Sequence, residues 1–356
     1  MTMSNKPGAR GLHAGHRTRL DRLDRAVSGT MRPIILIYGS PDPDALASAW
    51  ALRELTRRHA KTPRIRYTRE IGRLENQTMV ASLRIPAKLL DQVELKAADL
   101  IALVDCQPEF FKSFELPRCD IIFDHHPRKS RHKYTFSDIR PDCLATSSIL
   151  TEYLETAAVE PNQRLATALY YGIQTDSRHL QRSPTPIDSA ALRFLEQKIN
   201  INLLRRIEFS SYSLERLDYF AIALIKLRHA KGVLYSHIGP VPYSDICVQV
   251  ADFLIRVKEA KWALVSGVAD RKLIVVFRCD GHHKHAGRNA EAAFGELGSA
   301  GGHRTTARAE VDVNALPEEF SSMQNEMIER FVLDSLSNVA REFKPLRNLH
   351  VESGLV

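Results

Sequence analysis

The chain has 356 residues, 44% of them hydrophobic and 26% charged, with a net charge of +8. That supports a sizeable core, suggests two domains and excludes a low-complexity or disordered chain. No apolar run approaches the roughly 20 residues a membrane helix needs, so the expected protein is soluble, intracellular and cytoplasmic, with no membrane partner. Cys106, Cys119, Cys143, Cys247 and Cys279 form no CxxC pair and fit a reducing compartment rather than a disulfide framework. The basic excess favours polyanionic partners weakly. Residues 1–32 hold seven Lys or Arg against two Asp, and read as a flexible basic arm.

Taken in order, Ile34 to Ile37 reads as a strand, Pro41-Asp42-Pro43-Asp44 as a turn, and Ala45 to His59 as a helix. Arg64 to Thr68 is a second strand, and Asn76 to Leu95 is ambiguous. Asp99 to Asp105 and Cys119 to Asp124 are further strands. Helices follow over Thr146 or Ser147 to Thr156, with a hydroxyl cap, over Gln163 to Gly172, and over Asp188 to Gln197. This βα alternation predicts an α/β fold with a doubly wound, mainly parallel sheet over residues 33–198. Residues 199–229 read as a helical connector.

A second alternation over 230–316 predicts a smaller α/β domain with a mixed sheet. Its strands are Lys231 to His237, Ala263 to Ala269, Leu273 to Arg278 and Thr306 to Val313. Its helices are Tyr243 to Val257 and Asn289 to Leu297. A glycine-rich turn spans Gly298 to Arg304, and His282-His283-Lys284-His285 reads as a solvated loop. Residues 317–356 hold a closing amphipathic helix, Phe320 to Phe343, and a tail.

Three apolar runs end in polar residues of one kind. Ile34–Ile37 leads to Asp42 and Asp44, Ile101–Val104 to Asp105, and Ile121–Phe123 to Asp124-His125-His126. Open parallel sheets bind ligands outside the carboxyl ends of their strands, so these groups meet at one edge, with Asp176 joining them. Several carboxylates in one crevice require protons or cations. Oxygen ligands with one imidazole and no thiolate suit two divalent cations, Mn²⁺ or Mg²⁺, better than structural zinc. A pair of such ions stabilises attacking and leaving oxygens in phosphoryl hydrolysis.

These residues resemble the DHH phosphoesterase superfamily. Asp42-Pro43-Asp44-Ala45-Leu46-Ala47-Ser48 is similar to its first motif and Asp105 to its second. Asp124-His125-His126 is similar to the third, and Gly172-Ile173-Gln174-Thr175-Asp176 to the fourth. The second half resembles the associated DHHA1 domain, with Gly301-Gly302-His303-Arg304 as its marker. Overall length is most similar to the nano-RNase and pAp-phosphatase branch. The resemblance implies that Asp42 and Asp105 hold one ion and that Asp44, Asp105, His125 and Asp176 hold the other. His126, with Asp124 beside it, serves the scissile phosphate. Gly301, Gly302, His303, Arg304 and Arg278 bind substrate, and the site closes as the two domains approach.

The implied activity is metal-dependent hydrolysis of a short oligonucleotide, pAp or a cyclic dinucleotide, with a homodimer as one expected assembly. Tyr38 departs from the family pattern, standing where the first motif has a histidine four residues before Asp42. A neutral phenol is a poor metal ligand, so His132 or His179 are alternative donors to the first ion. The rival readings are a nucleotide-binding regulatory protein with weakened catalysis, a cyclic-dinucleotide phosphodiesterase, or an inorganic pyrophosphatase.

Overall fold

A computed structural model describes residues 8–111, 114–129, 133–177, 183–210, 212–282, 285–316, 325–339, 343 and 346–348. His132, His179, His283 and Lys284, and the expected start of the closing helix at Phe320, lie outside the described residues. The chain divides into two compact units, Met1–Ser211 and Tyr212–Val356.

The first unit is a six-stranded parallel sheet. Its strands are β1 (Pro33–Ile37), β2 (Arg64–Tyr67), β3 (Ala87–Leu89), β4 (Leu100–Val104), β5 (Ile121–Asp124) and β6 (Phe136–Ile139), ordered β3-β2-β1-β4-β5-β6. The order reverses between β1 and β4, the switch point where doubly wound folds open their crevice. β1 and β4 are buried along their whole length, because alternate residues feed two different layers. Ile35, Ile37, Ala102, Val104 and Phe123 face one layer, and Ile34, Leu36, Ile101, Leu103 and Ile122 the other.

The helices of this unit are α1 (Gly8–Val27), α2 (Pro43–Thr56), α3 (Leu74–Leu83), α4 (Gln92–Lys96), α5 (Thr146–Thr156), α6 (Gln163–Asp176), α7 (Pro186–Glu196) and α8 (Ile201–Glu208). Pro43 at the first position of α2 sits where its missing N–H costs nothing, and Asp42 caps that helix by accepting from the Ala45 N–H at 2.8 Å. The ambiguous segment 76–95 holds most of α3, all of β3 and most of α4, and β6 adds a strand beyond those expected.

The basic segment corrects the expectation of a flexible arm. From Gly8 it is helix α1, whose Leu20, Leu23 and Val27 are buried in the core of the first unit. Arg17, Arg19, Arg22 and Arg25 are exposed on other faces, Arg22 lying 5.8 Å over the Phe136 ring. The stretch read as a connector is also divided differently. In α8, Leu204 and Ile207 are buried in the core of the first unit, whereas α9 (Leu214–Ile225) belongs to the second.

The second unit has a seven-stranded mixed sheet in the order β11-β12-β10-β9-β8-β7-β13. These strands are β7 (Arg228–Ala230), β8 (Val233–Pro240), β9 (Trp262–Ala269), β10 (Lys272–Cys279), β11 (Gly298–Gly302), β12 (Thr306–Asp312) and β13 (Arg347–Asn348). Only β8 and β9 pair in parallel. One face packs on α9 and α10 (Asp245–Leu254), the other on α11 (Ala286–Phe294) and α12 (Asn325–Val339). Both sheets agree with the expected fold class. The glycine-rich turn is corrected: Gly298–Gly302 is the edge strand β11, and the turn is reduced to the residues between it and β12. No described helix is long and apolar enough to cross a membrane, and all five cysteines are free.

Leu23→Ala tests the placement of α1. Removing a fully buried leucine costs about 3 kcal/mol, read as a lower urea midpoint for unfolding of the first unit. A flexible arm would leave the midpoint unchanged.

Candidate metal centre

The predicted ligands come from the β1–α2 connection (Asp42 and Asp44), the residues after β4 (Asp105) and β5 (His125), and the C-terminal end of α6 (Asp176). Asp44 lies in the first turn of α2 and is fully buried. Its carboxylate is held by the backbone of α5: the Thr146 N–H donates to Oδ2 at 2.7 Å and the Ser147 N–H to Oδ1 at 2.8 Å. The first-turn amides of a helix make a natural anion cradle. This replaces the expected hydroxyl cap on α5, whose N-cap, Ala145, has no side-chain hydrogen bond.

Asp105 follows β4 with φ +56°, a left-handed conformation that costs a non-glycine residue of order 1 kcal/mol or more. Its N–H donates to the Phe123 carbonyl at 2.8 Å, and Thr146 Oγ1 donates to its Oδ1 at 3.1 Å. Asp176 is the last residue of α6, where the helix dipole is unfavourable to a negative charge. Gly172 permits α6 to approach this closely. A Cβ there would lie 2.8 Å from Ser147 Oγ and 3.1 Å from Asp44 Cα, so the α6 glycine sets the spacing of two acidic elements.

His125 is the hub. A carbonyl can only accept, so Nδ1, 3.3 Å from the Cys143 carbonyl, carries the ring proton in the neutral form. Nε2 then turns its lone pair toward the acids, 3.0 Å from Asp176 Oδ2 and 3.4 Å from Asp105 Oδ1. It is buried and makes no aligned hydrogen bond despite those short approaches. Ligand atoms of Asp44, His125 and Asp176 lie within 4.8 Å of one another, as do those of Asp105, His125 and His126.

Asp42 belongs to neither trio. It caps α2, yet is close enough to Asp105 and Asp176 to interact electrostatically. The structure therefore brings together Asp44, Asp105, His125 and Asp176, with Asp42 at the margin.

The electrostatics follow from this crowding. Burial, then Asp176, pushes Asp44 up to about 7. Burial, then Asp42 and Asp44, holds Asp105 well above the usual carboxylate range. Asp42 keeps an exposed surface, but the surrounding protein and then Asp176 raise it too. Burial opposes charge on His125, but Asp176 and Asp44 outweigh it and raise the imidazole to about 9. Protons are thus the default counterions of the cluster. A cation displacing the proton there would meet the Nε2 lone pair among carboxylate oxygens, with the far nitrogen fixed by a carbonyl, which is the geometry of a histidine ligand. The donor set fits a divalent cation.

His126 is nearly half exposed, and its Nδ1 lies 2.9 Å from Asp124 Oδ1. Asp124 is fully buried and reaches no solvent; the structure places it behind His126 rather than at a reacting group. Phe110 packs edge-on against the His126 ring at 5.8 Å. Tyr38 stacks on Phe111 at 4.0 Å and leans on Phe114 at 6.2 Å, which accounts for an aromatic residue at this position as packing.

In the second unit His303 and Arg304 are exposed beside β11. Arg304 Nε donates to the Gly281 carbonyl at 3.0 Å. Gly302 has φ +148°, and α11 packs so tightly on it that a Cβ on Gly287 would lie 2.3 Å from the Gly302 carbonyl oxygen. Gly301 has open space around it. Arg278 does not fit the expected substrate role. Its Nε pairs with Asp252 at 2.6 Å and its Nη1 donates to the Phe277 carbonyl, so its charge is already matched. Sequence reasoning missed Thr146, Ser147 and Gln107. The first two act through backbone amides, which no side-chain pattern reports.

The shifted groups predict a pH-dependent stability. Asp44, Asp105 and His125 all have folded values raised above their unfolded ones, so their contribution is fully present at low pH and is lost as pH rises. For Asp44 the loss runs between about 4 and about 7, and for His125 between about 6.5 and about 9. Protein stripped with EDTA should melt at a lower temperature at pH 8 than at pH 5.5, and Mn²⁺ should raise the midpoint much more at pH 8. Equal Mn²⁺ effects at both pH values would contradict the cluster.

Residues 34–173 match the DHH family, N-terminal domain. An uncharacterised protein of Methanocaldococcus jannaschii is 33% identical over 279 residues, which make up 78% of this chain and 57% of that protein. The chain thus spans little more than half the length of that relative. An A-adding tRNA nucleotidyltransferase of Geobacter sulfurreducens is 32% identical over 134 residues, 34% of this chain and 14% of that protein. In fold, the chain is similar to a crystal structure of an exopolyphosphatase-related protein from Bacteroides fragilis, with a TM-score of 0.69 at 15% identity, covering 94% of this chain and 99% of that one. The segment matched by that family carries β1, the acidic strand ends and most of α6.

Proposed function

We propose that the chain is a metal-dependent phosphoesterase that hydrolyses short oligonucleotides or small nucleotides such as pAp. The observation that carries this reading is the buried Nε2 of His125, set among the carboxylates of Asp44, Asp105 and Asp176 without an aligned hydrogen bond. Asp44, Asp105, His125 and Asp176 would hold divalent cations, with Asp42 completing the set; the oxygen-rich donors favour Mn²⁺ or Mg²⁺. Such ions supply Lewis acidity and lower the pKa of water towards neutrality.

The chain's own groups do the rest. His126, exposed at the rim and held through Nδ1 by Asp124, turns Nε2 outward as a positioned proton acceptor for the attacking water. Thr146 and Ser147 keep Asp44 from turning away. In the second unit, His303 and Arg304 are exposed cation and donor groups for phosphate, and the bare backbone at Gly301 admits a close oxygen.

A second reading has one observation in its favour. Tyr38 is occupied with Phe111, and Asp42 falls outside both ligand trios. A weakened first ion would leave a nucleotide-binding protein with little turnover.

Purified protein offered a 5′-phosphorylated dinucleotide, pAp, a cyclic dinucleotide and pyrophosphate in Mn²⁺ separates these readings. The enzyme reading predicts EDTA-sensitive hydrolysis, fastest for the dinucleotide or pAp. Asp105→Ala should lower it by about 100-fold or more, since even outer-sphere partners of metal ligands are worth about 10–100-fold. Arg278→Ala should leave KM nearly unchanged. Binding without turnover, the same in Asp105→Ala, would establish the regulatory reading instead, and preference for pyrophosphate would move the substrate class.

A further inference from the structure

Gln107 lies outside every motif that carries the family resemblance, yet it is fully buried beside the centre. Its side chain satisfies several groups at once. Nε2 donates to Asp124 Oδ2 at 2.6 Å and to the Pro127 carbonyl at 3.2 Å, with the His126 carbonyl at 3.5 Å. Oε1 accepts from the Lys129 N–H at 2.9 Å. Two acceptors on one side and a donor on the other fix the amide orientation, because a flipped amide would oppose like groups at all three.

The consequence passes to Asp124. This carboxylate has no solvent, so every bond to it must come from the protein. Oδ1 takes the His126 N–H at 3.2 Å and His126 Nδ1 at 2.9 Å; Oδ2 takes Gln107. Gln107 Nε2 and the His126 N–H are obligate donors, so both carboxylate oxygens act as acceptors here. The carboxylate therefore requires the proton of His126 on Nδ1, which leaves Nε2 facing outward.

Without Gln107, Oδ2 would be a buried acceptor with no partner, so the carboxylate would turn to find one and release its hold on the His126 ring. The short 3₁₀ turn from Pro108 to Phe110 adds a second hold: Phe110 flanks the His126 ring, and Lys129 Nζ lies 4.9 Å over Phe110.

We infer that Gln107 is a positioning residue that, through Asp124, sets the tautomer and orientation of His126. The catalytic consequence rests on the phosphoesterase reading; the tautomer does not. Leu and Asn at 107 test it, the first apolar and the second too short to reach Asp124. The readouts are long-range ¹H–¹⁵N spectra of the His126 ring in metal-free protein, and kcat and KM for a dinucleotide in Mn²⁺.

The wild type should show His126 protonated at Nδ1. Both variants should populate the other tautomer and lower kcat by about 10–100-fold with KM nearly unchanged. Gln107→Leu combined with Asp124→Asn should be no slower than Asp124→Asn alone. If Gln107→Leu fails to fold, Gln107→Asn carries both measurements. An unchanged His126 tautomer in the folded variants would overturn the inference, whether or not the wild type turns over substrate. A shifted tautomer with wild-type kcat would overturn its catalytic part alone.

Discussion

The first unit is built around an electrostatic problem. Asp42, Asp44, Asp105 and Asp176 converge on one imidazole whose outward nitrogen has no aligned partner. Like charges this close cannot all ionise in a buried site without compensation. The fold nevertheless holds them there by costly means: a non-glycine left-handed residue at Asp105, a carboxylate at the unfavourable end of α6, and a glycine at 172 that lets α6 crowd against Asp44. Strain and misplaced charge of this kind concentrate at functional sites. A divalent cation would offset the negative charge that these placements gather.

The scaffold explains why the acids can converge. β1, β4 and β5 are adjacent and parallel, so their ends project in the same direction and their following residues share one edge. The N-terminus of α5 then works on the same problem. Its amides neutralise part of the Asp44 charge, which keeps that carboxylate oriented whether or not a cation is present. Asp124 and Gln107 form a separate layer behind His126, so the two histidines, adjacent in sequence, are held by different means. His125 is fixed by a backbone carbonyl and His126 by a carboxylate.

Much of this was legible in the residues. Runs such as Ile34–Ile37 and Ile121–Phe123 are apolar because both faces of a parallel strand are covered, and that signal survives without any structure. The acids and His125 announced themselves by position at strand ends. What was hidden shares a cause: it depends on partners distant in sequence or on the backbone. Among its described side chains α1 buries Leu20, Leu23 and Val27 between arginines, so its charge masked its amphipathic stripe. β11 is glycine-rich and reads as a turn until β12 supplies its pairing. Arg278 looked available until Asp252, 26 residues away, matched it. Gln107 bears no charge and no metal-ligand chemistry, and only its four neighbours give it meaning.

The central claim is that the lone pair of His125 and the surrounding carboxylates are completed by a divalent cation. Anomalous diffraction at the manganese edge from crystals equilibrated with Mn²⁺ addresses it most directly. The account predicts a peak within bonding distance of His125 Nε2 and of oxygens from Asp44, Asp105 or Asp176. A well-ordered crystal with no anomalous density there, or with Nε2 carrying a proton shared with Asp176 in its place, would contradict it.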